Sequence, residues 1–252
     1  LENYYLNPPK SEIKKAEKAE NLLGLNKEDI LLDLGCSMGA FSFFFSSKVK
    51  YIIGVDYEIN SLLIASKYLE QRSEIKNTLF IQADALKLPF KDKVLSKISN
   101  IDFIEHIIPE NQNSVVSEIN RVLKQNGLVL TYTPSLIRLK LEYYINKLKY
   151  ALKGRYYGWQ KGRPYRDKPD FKNHQDTLLH SGLLNFYSLR KLFIKNKLRI
   201  KKILYDEINI PILSGWLNKI KLSLKIRGVF YAIFVANLMI LFQKDVKDRC
   251  KR

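Results

Sequence analysis

Three aspartates and a pair of glycines are the residues whose types and spacing can do chemistry together. Asp33 lies in a short apolar run and leads into Gly35-Cys36-Ser37-Met38-Gly39; Asp56 ends a second apolar run, and Asp84 closes a third. Glycines around a tight strand-to-helix turn let the backbone lie close to a ligand, and the amides opening the following helix suit a carboxylate or phosphate. An acid at the end of the next strand is placed to accept hydrogen bonds from the two hydroxyls of a ribose. Any one of these acids could simply cap loop amides. Three at adjoining strand ends point to an adenosine-type cofactor.

Two other chemistries use similar residues and fit less well. A nicotinamide fingerprint would be read as Gly35-x-Ser37-x-x-Ala40, with two of its three glycines replaced. The pair Tyr143 and Lys147 has the spacing of a dehydrogenase couple, but such spacing arises by chance in a segment so rich in Tyr and Lys. Cys36 and Cys250 support neither a disulfide framework nor a zinc site, so no metal is expected, and Cys36 reads as a small packing residue. The histidines are His106, His174 and His180. A base that titrates near neutrality is useful wherever an acceptor must lose a proton, and His106, at the tip of the fourth predicted strand, is the candidate catalytic residue.

The elements that must position these residues alternate. A helix over 11–23 capped by Ser11 precedes a buried strand over 30–34; a helix over 38–47, a strand over 51–55, a helix over 59–73 and a strand over 79–81 follow. A fourth strand is predicted over 97–101, a helix over 111–124 and a fifth strand over 127–133, halted by Pro134. Strands alternating with helices of this length imply right-handed crossovers and a parallel sheet covered on both faces. The fold class is therefore α/β, a doubly wound Rossmann-like sheet, and its ligands belong beyond the carboxyl ends of the strands.

With those residues in place, the chain resembles the class I S-adenosylmethionine-dependent methyltransferases, in particular the small-molecule, type 11-like group typified by ubiquinone-biosynthesis enzymes. The resemblance covers residues 29–134 and the remainder only in outline. Leu31-Leu32-Asp33-Leu34-Gly35-Cys36-Ser37-Met38-Gly39 looks like the family's first motif, with Ser37 where glycine is usual. Ile53-Gly54-Val55-Asp56 looks like the second-strand motif, and the segment from Ile81 to Phe90 is similar to the one whose aspartate, here Asp84, meets the adenine amino group. Asp102-Phe103-Ile104-Glu105-His106-Ile107 resembles the Asp-x-x-Glu-His stretch, and Glu118 to Gly127 the helix and turn before strand five. The resemblance implies S-adenosylmethionine as cofactor, held by Asp33, Gly35, Cys36, Ser37, Gly39, Asp56, Tyr57, Asp84, Ala85, Asn100 and Ile101. It also implies seven strands, mostly parallel with an antiparallel last strand, and a helical lid insertion. Asn7-Pro8-Pro9-Lys10 superficially suggests adenine N6 methylation, but it precedes the first strand and lacks the aromatic residue.

Charge divides the chain in two. Residues 1–134 hold 16 basic and 17 acidic side chains, whereas residues 135–252 hold 27 and 8, so the formal charge of +18 belongs to the second half. The expected organisation is a cofactor-binding core over 1–134, a basic lid and acceptor insertion over 135–182, and a C-terminal part over 183–252 that completes the sheet. A helical stripe of Ile137, Leu141, Tyr144, Ile145, Leu148, Ala151 and Leu152 runs through the insertion, followed by an Arg- and Tyr-rich stretch suited to stacking and phosphate contact. A helix over 184–196, strands over 199–205 and 236–243, and a basic amphipathic segment over 216–227 complete the reading. The expected function is methyl transfer to an anionic small-molecule or lipid- or sugar-linked acceptor. An RNA methyltransferase is the nearest rival, and a non-catalytic protein that binds the cofactor or nucleic acid is the reading of another class. The sparse cysteines and lack of a cleavable signal pattern suggest a cytoplasmic setting, with peripheral membrane contact open.

Overall fold

The computed structural model describes residues 8–136, 144, 182–205 and 237–245. In chain order the elements are α1 (Lys10–Leu23), β1 (Ile30–Leu34), α2 (Ala40–Ser46), β2 (Tyr51–Asp56), α3 (Ile59–Glu70), β3 (Thr78–Gln82), β4 (Leu95–Ile101) and a 3-10 turn (Ile104–His106). After the turn come α4 (Pro109–Val122), β5 (Leu123–Pro134), α5 (Phe186–Lys195), β6 (Leu198–Tyr205) and β7 (Asn237–Lys244). The strands form one sheet ordered β3-β2-β1-β4-β5-β7-β6. β1 to β5 pair in parallel, and β7 runs antiparallel to both β5 and β6. The order reverses between β1 and β4, which opens a crevice at their carboxyl ends.

Alternation along the strands builds two cores. Leu32, Leu34, Ile98, Val129, Ile240 and Phe242 face α4 and α5, and Phe193 of α5 stacks on Phe242 with ring centroids 4.1 Å apart. Leu31, Ile52, Ile101, Leu130, Tyr132 and Met239 face the other way, against Ala16, Ala19 and Leu23 of α1 and Phe45 of α2. Burial of apolar side chains on both faces is the main force holding a central sheet of this kind.

The predicted elements are all found where the chain is described, with shifted ends. Ser11 does not cap α1. Pro9 occupies the N-cap position without a side-chain hydrogen bond, and Ser11 lies inside the first turn, because proline's fixed φ already suits a helix start. Of the lid insertion, only its first two residues, Tyr144 and Gly182 lie among the described residues, and the basic segment over 216–227, His174 and His180 lie outside them. The two sides of the insertion nonetheless meet: the Leu136 N–H donates to the Leu184 carbonyl at 3.2 Å, and the Gly182 N–H donates to the Glu105 carbonyl at 2.7 Å. Gln112 seals this junction by donating its amide to the Gly182 carbonyl at 2.6 Å. A Cβ on Gly182 would fall 1.9 Å from the Ile107 carbonyl oxygen, so the junction admits only glycine.

Candidate active site

The loop after β1 is tied to β2. The N–H groups of Gly35 and Cys36 both donate to the Val55 carbonyl, at 2.8 and 3.1 Å, and the Ser37 N–H donates to Asp56 Oδ2 at 2.7 Å. These three amides are committed to β2. The turn needs left-handed backbone at Gly35 (φ 79°), Ser37 (φ 48°) and Gly39 (φ 80°). Ser37 therefore pays for a conformation glycine adopts freely, which accounts for the usual residue at that position.

Asp56 is half-buried at the carboxyl end of β2. Its Oδ1 accepts the Glu58 N–H at 2.9 Å while Oδ2 holds Ser37. Each carboxylate oxygen has two acceptor sites, so these bonds leave Asp56 capacity for two hydroxyls. Tyr57 beside it is 74% exposed and Asp84, at the neighbouring strand end, is exposed; Ala85 is buried beneath them. The Asp84 Oδ1 accepts the Leu86 N–H at 2.9 Å, which holds the carboxylate against its own loop.

Asp33 is different from the other two acids. Alternation on β1 turns it toward α2, where Oδ2 accepts from the Ser42 hydroxyl at 2.7 Å and Oδ1 from the Ser99 hydroxyl at 2.9 Å. It is fully buried, and burial raises its carboxyl to about 6 against the opposing pull of both hydroxyls. Asp33 thus staples β1, α2 and β4 together beneath the loop. Cys36 is buried as well, and its thiol is pushed far above the ordinary range by burial and by the carboxylates of Asp33 and Asp56. It packs in the core beneath the loop.

Across the switch point, β4 ends in Asn100 and Ile101, both buried. Neither the amide nitrogen nor the amide oxygen of Asn100 has a hydrogen-bond partner. Thr131, its register partner on β5, and Thr133 present unpartnered hydroxyls on the same face of the sheet, and both carboxyl oxygens of Glu105 are unpartnered too. Burial lifts the Glu105 carboxyl to about 8, opposed first by its own backbone N–H and helped by the Asp102 charge. A buried donor and acceptor left open in one cluster is costly in a native fold and calls for a ligand or ordered water. Thr131, Thr133 and Lys15 were not singled out from the sequence. The alternation of Leu130 to Pro134, which puts Thr131 and Thr133 on one face, was the signal available for the two threonines.

The Asp102 loop is gripped from the opposite side. Lys15 of α1 pairs with Asp102 Oδ2 at 2.6 Å and Glu12 at 3.0 Å, and its ammonium sits 4.9 Å from the Tyr132 ring centroid. Burial alone would lower the Lys15 pKa, but the two carboxylates outweigh it and the net direction is upward. Phe103 lies against Gly35, where a Cβ would come within 2.3 Å of the ring. His106 is exposed at the end of the 3-10 turn. Among the described residues, no group of three metal-ligating side chains comes together.

Asp56 keeps open acceptor sites at the carboxyl end of β2, which suits a ligand with paired hydroxyls, and the unpartnered amide of Asn100 lies buried near the carboxyl end of β4. Comparisons with known proteins agree with that chemistry. Residues 32–131 match the protein family described as a methyltransferase domain. The chain is 30% identical over 114 residues to a sterol 24-C-methyltransferase from Pneumocystis carinii, covering 43% of this chain and 29% of that protein. It is 33% identical over 110 residues to the uncharacterized methyltransferase YcgJ of Bacillus subtilis, covering 42% of each. The chain thus spans less than half the length of these curated relatives. In fold it is similar to the crystal structure of an S-adenosylmethionine-dependent methyltransferase from Methanosarcina mazei, with a TM-score of 0.61, 16% identity, and coverage of 91% of this chain and 98% of that one.

Proposed function

We propose that this protein, whose residues 32–131 match a methyltransferase domain, transfers the methyl group of S-adenosylmethionine to an anionic acceptor, a small molecule or a lipid- or sugar-linked intermediate. The observation that carries the reading is the open pair of Asp56 and Asn100 across the switch point. S-adenosylmethionine supplies an electrophilic methyl on a sulfonium cation. Asp56 would hold the ribose hydroxyls, Tyr57 and Ala85 would border the adenine with Asp84 against its amino group, and Asn100 would meet the methionyl end, while Ile101 packs into the core on the α1 side. The Gly35–Gly39 turn admits the ligand against bare backbone.

Methyl transfer from a sulfonium is an in-line displacement, which needs alignment and exclusion of water more than covalent help. The placing of the insertion's ends supports such a role, since Leu136 is tied to Leu184 and Gly182 to the Glu105 carbonyl on the loop after β4. His106 is exposed on the same turn and takes the proton of an oxygen acceptor. An anionic acceptor is favoured by the charge division, because the core is neutral and the excess cations lie in the second half.

Titration calorimetry with S-adenosylmethionine is the first test. Saturable one-to-one binding, weakened about tenfold or more by Asp56→Ala, is expected; no heat would remove the central claim. Labelled methyl transfer onto fractionated cell extract then identifies the acceptor. Label in the organic or small-molecule fraction is expected, and label in RNA alone would overturn the acceptor class.

A further inference from the structure

A second surface lies at the sheet edge farthest from β3. Between residues 190 and 202 the chain carries Arg190, Lys191, Lys195, Lys197, Arg199, Lys201 and Lys202, with no acid in the stretch. All seven are exposed. Among the described residues the ion pair found for them is Arg199 with Asp245, at 3.0 Å and largely in solvent, where such a pair neutralises little.

The fold gathers these charges. α5 and β6 are joined by a tight turn in which Lys197 takes left-handed backbone (φ 59°), so helix and strand lie side by side. Leu189 and Phe193 anchor α5 in the core and turn the rest of the helix outward. The outward stripe reads Tyr187, Arg190, Lys191, Ile194 and Lys195, at the three- and four-residue spacing of one helical face. On β6 the register shifts between Ile200 and Lys202, which puts Lys201 outside the regular ladder. Lysines on an edge strand discourage strand addition by another chain. That role does not explain Arg190, Lys191, Lys195 and Lys197, which are off the strand.

We infer that the α5–β6 edge is a docking surface for an anionic phospholipid bilayer. Charge complementarity selects an anionic partner, and the apolar groups choose among anionic partners. Tyr187 is 47% exposed and Ile194 is 44% exposed, in line with the cations. A headgroup layer accepts an aliphatic side chain and a tyrosine flanked by Lys and Arg, whereas a nucleic acid backbone gives Ile194 nothing to bury against. Among the described residues no helix is long and apolar enough to cross a membrane.

Co-sedimentation of the full chain with vesicles tests this directly. Binding is expected to vesicles of two parts phosphatidylcholine to one part phosphatidylglycerol, not to phosphatidylcholine alone, and to weaken as salt rises. The combined change Arg190→Glu, Lys191→Glu and Lys195→Glu should reduce it by on the order of a hundredfold or more. Tyr187→Ser with Ile194→Ser should reduce it several-fold with charge unchanged. A control carrying Lys67→Glu, Lys76→Glu and Lys91→Glu, equal in charge and exposed elsewhere, should retain binding, and circular dichroism melts establish that every variant is folded. Binding to neither vesicle, retention by the triple reversal, equal loss in the control, or tighter binding to single-stranded or duplex RNA oligomers at the same salt would each overturn the inference.

Discussion

The Lys15 ammonium stands 2.6 Å from Asp102 Oδ2 and ties the N-terminal helix to the loop after β4 across 87 residues of sequence. Asp102 adopts left-handed backbone (φ 50°) and donates its N–H to the Tyr132 carbonyl, so the ion pair fixes a residue whose conformation is already unusual. Neighbouring Phe103 rests on Gly35 and Glu105 faces the polar cluster. The position of α1 is thereby coupled to the crevice.

A double-mutant cycle on Lys15→Met and Asp102→Asn should return a coupling energy of about 1 kcal/mol in urea unfolding, since Asp102 is partly in solvent. The same single variants should both weaken S-adenosylhomocysteine binding. Coupling near zero would mean that the helix is held by its apolar face alone.

Glu105 should make stability depend on pH. Its folded-state carboxyl lies at about 8 because of burial, against an ordinary value of 4.5, so between these values the folded protein keeps a proton that the unfolded chain has released. Stability from this group is full at the acid side and is lost as pH rises through about 8. Asp33 acts in the same direction over the lower window from 3.8 to about 6. Glu105→Gln keeps the shape without the charge. The stability of Glu105→Gln relative to the parent should rise by on the order of 1 kcal/mol per pH unit between pH 6 and 8, read from urea melts, and level off above that.

Gly35 should prove doubly constrained. Gly35→Ala meets the Phe103 ring and also forces alanine to φ 79°, so a loss of about 2–4 kcal/mol is expected. Adding Phe103→Ala removes the contact but not the backbone strain, and should recover only part of the loss. Full recovery would show that crowding, not conformation, selects glycine here.

The alternating strands and helices, and the loop that joins Gly35 to Asp56, were legible because period-two and helical patterns are local properties of the chain. Burial direction was less so. Asp33 reads from the sequence as a third ligand-facing acid, yet its position on β1 turns it to Ser42 and Ser99, partners 9 and 66 residues away that no local pattern joins. Lys97 and Lys244 look like solvated strand lysines. In the structure Lys97 is buried and pairs with Asp29 at 2.6 Å, and the ammonium of Lys244, also buried, donates to the carbonyls of Asn120 and Leu123. Such cations pack their stems among apolar residues and find a partner only when distant elements assemble. The helix cap failed for a nearer reason, because Pro9 and Ser11 compete for one helix start.

Asn100 separates a structural from a binding role. Its amide is fully buried with both polar atoms unpartnered, so the free protein bears a desolvation cost that a hydrophobic replacement would not. If that cost is borne for the cofactor, Asn100→Leu should leave the melting temperature unchanged or raise it while weakening S-adenosylhomocysteine binding by about tenfold to a hundredfold, as expected from the loss of one or two buried hydrogen bonds. Thr131→Val, which changes the adjoining hydroxyl on β5 to a methyl, should be similarly neutral for stability and smaller in its effect on affinity. A structural role predicts the reverse order: an Asn100→Leu variant that melts lower and, where folded, binds as the parent does. Thermal melts with and without S-adenosylhomocysteine distinguish the two, because ligand-induced stabilisation scales with the affinity of the folded state whatever the variant's own melting temperature.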